Sequence, residues 1–150
     1  MSTATATPLP PNPLGGETYR LTLPNTASAA RIARDFVTSL LNVSRHIGLI
    51  DDARLCVTEV VTNAHRHTCT HLIGVHVTVN RKRVTVAVAD DDPTAPAVLG
   101  VLPAAPEGEH GRGLVLVDSL ALAWGANVFG GLSPHRKIVW FTLGGPDSTP

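Results

Sequence analysis

Alternation of apolar and polar positions opens the readable part of the chain. Tyr19-Arg20-Leu21-Thr22-Leu23 repeats every second residue and then meets Pro24. That predicts a short edge strand, because proline has no N–H to give to a central ladder. From Asn25 the period lengthens. Ala29, Ile32, Ala33, Phe36, Val37, Leu40 and Leu41 recur at intervals of three and four, which predicts an amphipathic helix capped by Asn25 or Thr26 and ending near Leu41. After a loop through Gly48, Asp51 or Asp52 opens a second helix, where acidic side chains suit the positive end; it should fray between His67 and Thr70. Two β segments follow, 71–79 with Val75, Val77 and Val79 on one face, and Val84 to Ala89. Arg81-Lys82-Arg83 joins them as an antiparallel hairpin with a solvated turn. A stretch rich in Pro, Gly and Ala then runs to about His110. Beyond it the pattern predicts a helix from Leu114 to Leu122, a strand within 123–129, a Gly-Gly turn and a strand from Lys137 to Leu143.

These elements predict an α/β (α+β) two-layer sandwich over residues 17–144, with helices on one face of a mixed, mostly antiparallel sheet. Residues 1–16 and 145–150 read as disordered tails, since they offer little to bury. With 150 residues the chain makes one domain with a sizeable core. Acidic and basic residues balance at 12 each, so no net field draws it to nucleic acid or to an anionic membrane. Two cysteines, Cys56 and Cys69, make no disulfide framework, and a reduced, cytoplasmic protein is the expectation. No run is long and apolar enough to span a bilayer, and the start lacks a charged-then-apolar signal pattern.

Chemistry concentrates in Leu55 to His67. On a helix, Glu59, Asn63 and His67 fall at successive steps of four along one face, while Val57, Val60, Val61 and Ala64 can bury another. A carboxylate and an amide beside an apolar helix stripe are costly unless something binds them. One turn apart, a base and a hard oxygen ligand suit a magnesium–phosphate site. On spacing alone, a merely wet polar face accounts for the same residues. A second cluster is Asp90 at the end of a β segment. Ionised, it only accepts hydrogen bonds, so it can take adenine's exocyclic amino hydrogen and reject guanine's carbonyl. The third is Gly108-Glu109-His110-Gly111-Arg112-Gly113-Leu114, a glycine-rich loop entering a helix. Its amides and close-approaching backbone favour phosphate oxygens, and Arg112 adds a permanent charge; a plain turn is the simpler account of the glycines taken alone.

Taken together and in order, E-x-x-x-N-A-x-x-H, an Asp-initiated loop after a strand, and G-x-x-G-x-G-L-x-L-V resemble the gyrase, chaperone, histidine-kinase and mismatch-repair (GHKL) ATPase superfamily. The short length, and Trp124-Gly125 through Val139-Trp140-Phe141, are similar to its anti-sigma-factor serine/threonine kinases and their bacterial ATP-binding relatives. The likeness covers about 18–143. It implies a Bergerat-type ATP-binding fold with ATP and Mg²⁺ as ligands. It makes Glu59 the general base, Asn63 the Mg²⁺ ligand and Asp90 the contact to the adenine amino group. Gly108, Gly111 and Gly113 belong to the lid that covers the phosphates, a segment of about residues 94–112; Arg112 and Leu114 join them as nucleotide-binding residues, and His67 lines the nucleotide pocket. Lys137 and Thr142 lie near places where some relatives contact phosphate or adenine. The implied partners are a sigma factor and an anti-anti-sigma protein of the sulfate-transporter/antagonist (STAS) type, and the likeness admits a homodimer.

One departure affects the expected affinity. Relatives often carry glycine two residues after the adenine-binding aspartate, where this chain has Asp92; the added charge should weaken ATP binding without abolishing it. Two other readings compete. A binding module would hold ATP and sequester a regulator without turnover. A metal centre on His65, His67, Cys69 and His71 is disfavoured, because residues two apart diverge at the end of a helix.

Overall fold

The computed structural model describes residues 16–91, 109–129 and 136–144. Five strands and three helices follow in the order β1 (Glu17–Pro24), α1 (Ala29–Val43), a 3₁₀ turn (Ile47–Leu49), α2 (Ile50–His67), β2 (Leu72–Val79), β3 (Arg83–Asp90), α3 (Glu109–Leu120), β4 (Ala123–Phe129) and β5 (Arg136–Gly144). The sheet order is β1-β2-β3-β5-β4, and every pairing in it is antiparallel. Pro24 ends an edge strand, as its missing N–H requires.

Alternation on the strands decides which side is covered. Ile73, Val75 and Val77 on β2, Val84, Val86 and Val88 on β3, and Phe141 and Leu143 on β5 are buried in one core. Against them lie Ala33, Val37 and Leu41 of α1 and Ala53, Val57, Val60, Val61 and Ala64 of α2. Small residues on α1 and β-branched ones on the sheet let the two layers approach closely. Asn80 closes the β2–β3 hairpin: its Oδ1 accepts from the N–H groups of Lys82 and Arg83 at 3.0 and 2.9 Å. No described helix is long and apolar enough to cross a membrane.

Three boundaries differ from the sequence pattern. Helix α1 starts at Ala29, with Ser28 at the cap and no side-chain capping bond, because the Asn25 amide is committed to His65 and Thr70. Helix α3 starts at Glu109 rather than Leu114. Gly111 and Gly113 therefore lie inside it, since glycine weakens a helix by only about 1 kcal/mol and does not forbid one. The same helix stops at Leu120, because the N–H of Leu122 goes to the Thr142 carbonyl at 2.8 Å and the chain joins the sheet. The tails expected at 1–16 and 145–150 lie outside the described residues, apart from Gly16. So do Asp92 and residues 94–108 of the expected lid.

Candidate functional site

Helix α2 carries the first group of polar residues. Arg34 of α1 donates to Thr58 Oγ1 at 3.0 Å, and Arg54 donates to Thr38 Oγ1 at 3.1 Å, so the 54/58 flank of α2 faces α1. The helical wheel turns Glu59, Asn63 and His67 to the other flank, on the side where α3 packs. All three are half-buried. Among the described residues, the Glu59 and Asn63 side chains make no hydrogen bond or ion pair. Half-buried, both side chains keep an open side where water or a ligand can reach their oxygens.

Asp90 ends β3 in step with Val84, Val86 and Val88, on the helix-facing side of the sheet. It is 3% exposed. Lys137 is its cross-strand partner on β5, and Nζ lies 3.7 Å from Asp90 Oδ2. The next residue, Asp91, donates its N–H to Thr70 Oγ1 at 3.1 Å. This bond brings the end of β3 to the loop that follows α2. Counting back along α2 from that end, His67, Asn63 and Glu59 stand about 6 Å apart per step. Asp90 therefore lies at the end of the domain where α2 finishes, and the polar flank runs away from it, His67 first and Glu59 at mid-helix.

The glycine-rich segment is placed differently from the loop that its composition suggests. Gly111, Arg112, Gly113 and Leu114 belong to α3, so only the opening amides of that helix remain outside its own hydrogen-bond ladder. Gly108 lies outside the described residues. Thr142 is not at the site: its Oγ1 lies 2.8 Å from Thr85 Oγ1, on the face of the sheet turned away from α1 and α2.

The donor set fits ATP with Mg²⁺. Asn63 offers a hard carbonyl oxygen, as Mg²⁺ prefers, and the cation takes few protein ligands when phosphates supply others. Asp90 would meet the exocyclic amine of adenine as an acceptor. Among the described residues there is no group of three or more His, Cys, Asp or Glu able to hold a metal by themselves; His65 Nδ1 is instead bonded to Asn25 Oδ1 at 2.7 Å. On the core side of the same helix, the Cys56 thiol is pushed up to about 12 by burial, then by the charges of Asp52 and Glu59.

Two features escaped the sequence pattern. The contact between Lys137 and Asp90 had a signal: a lysine in step with Val139, Phe141 and Leu143 on an otherwise apolar strand. The bonds joining Asn25, His65 and Thr70 link residues far apart in the chain and had none.

Residues 23–142 match a family described as a histidine kinase-like ATPase domain. No curated protein matches the chain.

Proposed function

The chain belongs to the histidine kinase-like ATPase domains, and from that premise we propose that it binds ATP with Mg²⁺ and acts as an anti-sigma-type serine/threonine kinase on a STAS-type anti-anti-sigma partner. The observation that carries the reading is the half-buried flank of α2, on which Glu59 and Asn63 make no side-chain hydrogen bond among the described residues, leading in steps of about 6 Å to the end of β3 and its buried acceptor Asp90. Asp90 holds the base by its exocyclic amine, and Asn63 contributes an oxygen ligand. When bound, Mg²⁺ supplies neutralisation of the phosphate charge. Glu59 accepts the proton of the partner's serine as the serine oxygen bonds to the γ-phosphorus; the bond to the β,γ-bridging oxygen breaks and ADP leaves. Positioning and electrostatics supply most of the acceleration in such a transfer.

A second reading is an ATP-holding module that sequesters a sigma factor without turnover. It is favoured by one feature: among the described residues no side chain orients the Glu59 carboxylate, as a well-placed general base is usually oriented. Labelled ATP and a purified candidate partner separate the two. Phosphoserine on the partner that is lost with Glu59→Gln, while ATP binding persists, supports the kinase. ATP binding with no transfer to any candidate supports the module. Absence of ATP binding by the wild type defeats both.

A further inference from the structure

The face of the sheet turned away from α1 and α2 holds a hollow of about 330 Å³, at the small end of ligand-sized cavities. Its floor is Gly74 on β2 and the cross-strand partner Ala89 on β3. These small residues leave room between larger neighbours, His76 on β2 and Arg136 on β5. A Cβ at Gly74 would project into that room, meeting His76 Nε2 at 3.5 Å and Ala89 Cβ at 3.8 Å.

Charge is unevenly distributed round the hollow. Arg20 on β1 is the cross-strand partner of His76, and the positive charges of Arg20 and Arg136 both lower the His76 pKa, after partial burial. The fields of two guanidiniums therefore meet at one imidazole. Asp91, just past β3, also lines the hollow, yet it makes no ion pair with either arginine among the described residues. The side chains of Arg20, His76, Arg136 and Thr22 likewise make no hydrogen bond there. Like charges facing each other across a strand pair weaken a sheet, whereas a concave surface of one sign concentrates counter-ions. Two guanidiniums, an imidazole N–H and the Thr22 hydroxyl are donors suited to a tetrahedral oxyanion.

We propose that this hollow is an anion site, taking a small ligand that carries a phosphate or sulfate group. It does not rest on the nucleotide reading, which uses the other face of the sheet: Asp90 is directed to the helices, and Asp91, one residue on, to the hollow. A bound dianion offsets the positive potential that holds down protonation of His76. Binding therefore raises the His76 titration and, by linkage, strengthens as pH falls through it.

The test uses inorganic sulfate, which does not titrate where histidine does, with chloride at equal ionic strength as the control for screening. The His76 ring protons of the full chain are followed by NMR. Sulfate shifts them to a plateau and raises the His76 midpoint beyond the effect of chloride, and its affinity is higher below that midpoint than above it. Arg20→Gln and Arg136→Gln each weaken sulfate about fivefold, the upper range for a solvent-exposed charge pair. Gly74→Ala weakens it with every charge in place, because the added methyl occupies the floor; contacts at 3.5 and 3.8 Å are ordinary packing, so the fold is kept. A response to sulfate no different from that to chloride overturns the proposal. So does wild-type affinity in both arginine variants or in Gly74→Ala, which would put the ion outside the hollow.

Discussion

His65 Nδ1 lies 2.7 Å from Asn25 Oδ1, tying the last turn of α2 to the chain leaving β1. The other end of the same amide donates to the Thr70 carbonyl at 2.8 Å, and the Asn25 N–H donates to the His71 carbonyl at 3.0 Å. Thr70 in turn donates its hydroxyl to the Leu72 carbonyl at 2.9 Å while accepting from the Asp91 N–H. This chain of bonds sets the C-terminal end of α2 over the end of β3, and so sets His67 relative to Asp90. Asn25→Ala removes both side-chain bonds from partly buried groups. The expected loss is about 1–2 kcal/mol of stability, read as a lower urea midpoint with unchanged slope. Nucleotide affinity should fall with it; a variant with the wild-type midpoint would show that the link contributes nothing.

On the proposed reading, Asn63 is the residue that separates metal binding from base recognition. Its side chain has no hydrogen-bond partner among the described residues, so Asn63→Ala removes the proposed ligand without breaking a bond to any of them. The variant should keep the wild-type thermal midpoint to within the effect usual for a surface change, about 0.5 kcal/mol. Its ATP affinity should become nearly independent of Mg²⁺, whereas wild-type affinity should rise with the cation. Calorimetric titration with and without Mg²⁺ makes the comparison. A fall in stability with no change in Mg²⁺ dependence would place Asn63 in the scaffold instead.

The two thiols should behave as different reagents. Cys56 is wholly buried on α2, and its thiol is pushed up to about 12, first by burial and then by the charges of Asp52 and Glu59. Only the thiolate reacts readily. Cys69, just beyond that helix, is exposed. Under native conditions a chromogenic disulfide reagent should modify one thiol per chain promptly and the second only on unfolding. Two fast thiols would mean that α2 opens readily from the sheet.

Much of the layering was written in the apolar pattern. The alternation of Val75, Val77 and Val79, and of Val84, Val86 and Val88, marks the covered face because a strand's side chains point alternately to opposite sides. The steps of four from Glu59 to His67 mark one flank because a helix repeats every 3.6 residues. What composition misjudged was the start of α3: Gly111 and Gly113 suggested a loop, yet the helix runs through both, since local propensity is a weak prior against the fold around it. The cap of α1 shifted to Ser28 for a related reason. Asn25 has a good capping side chain, but distant partners engage it, and no local pattern encodes contacts across 40 residues. Asp90 was readable as a strand-end acceptor; its buried neighbour Lys137 depends on which strands pair, and β5 reaches β3 only through the sheet order.

The face of the sheet turned away from α1 and α2 carries a pH-sensitive group. His76 sits on β2 beside its cross-strand partner Arg20, in a depression shared with Gly74, Asp91 and Arg136. Its pKa is lowered from 6.5 by partial burial first, then by the positive charges of Arg20 and Arg136. Because the folded chain binds this proton less readily than the unfolded chain, the contribution to stability is full above about pH 6.5. It is lost as pH falls from there through the folded value, where the unfolded state takes up the proton first. The chain carries six other histidines, so the test is a difference. Wild-type and His76→Gln chains are unfolded in urea at pH 7.5 and at pH 5, and the wild type should lose more stability over that interval. Arg136→Gln should move the His76 titration, followed by ring-proton NMR, upward but not fully back, since burial persists. A His76 midpoint at or above the ordinary histidine value would show that neither the arginines nor the burial act on it in solution.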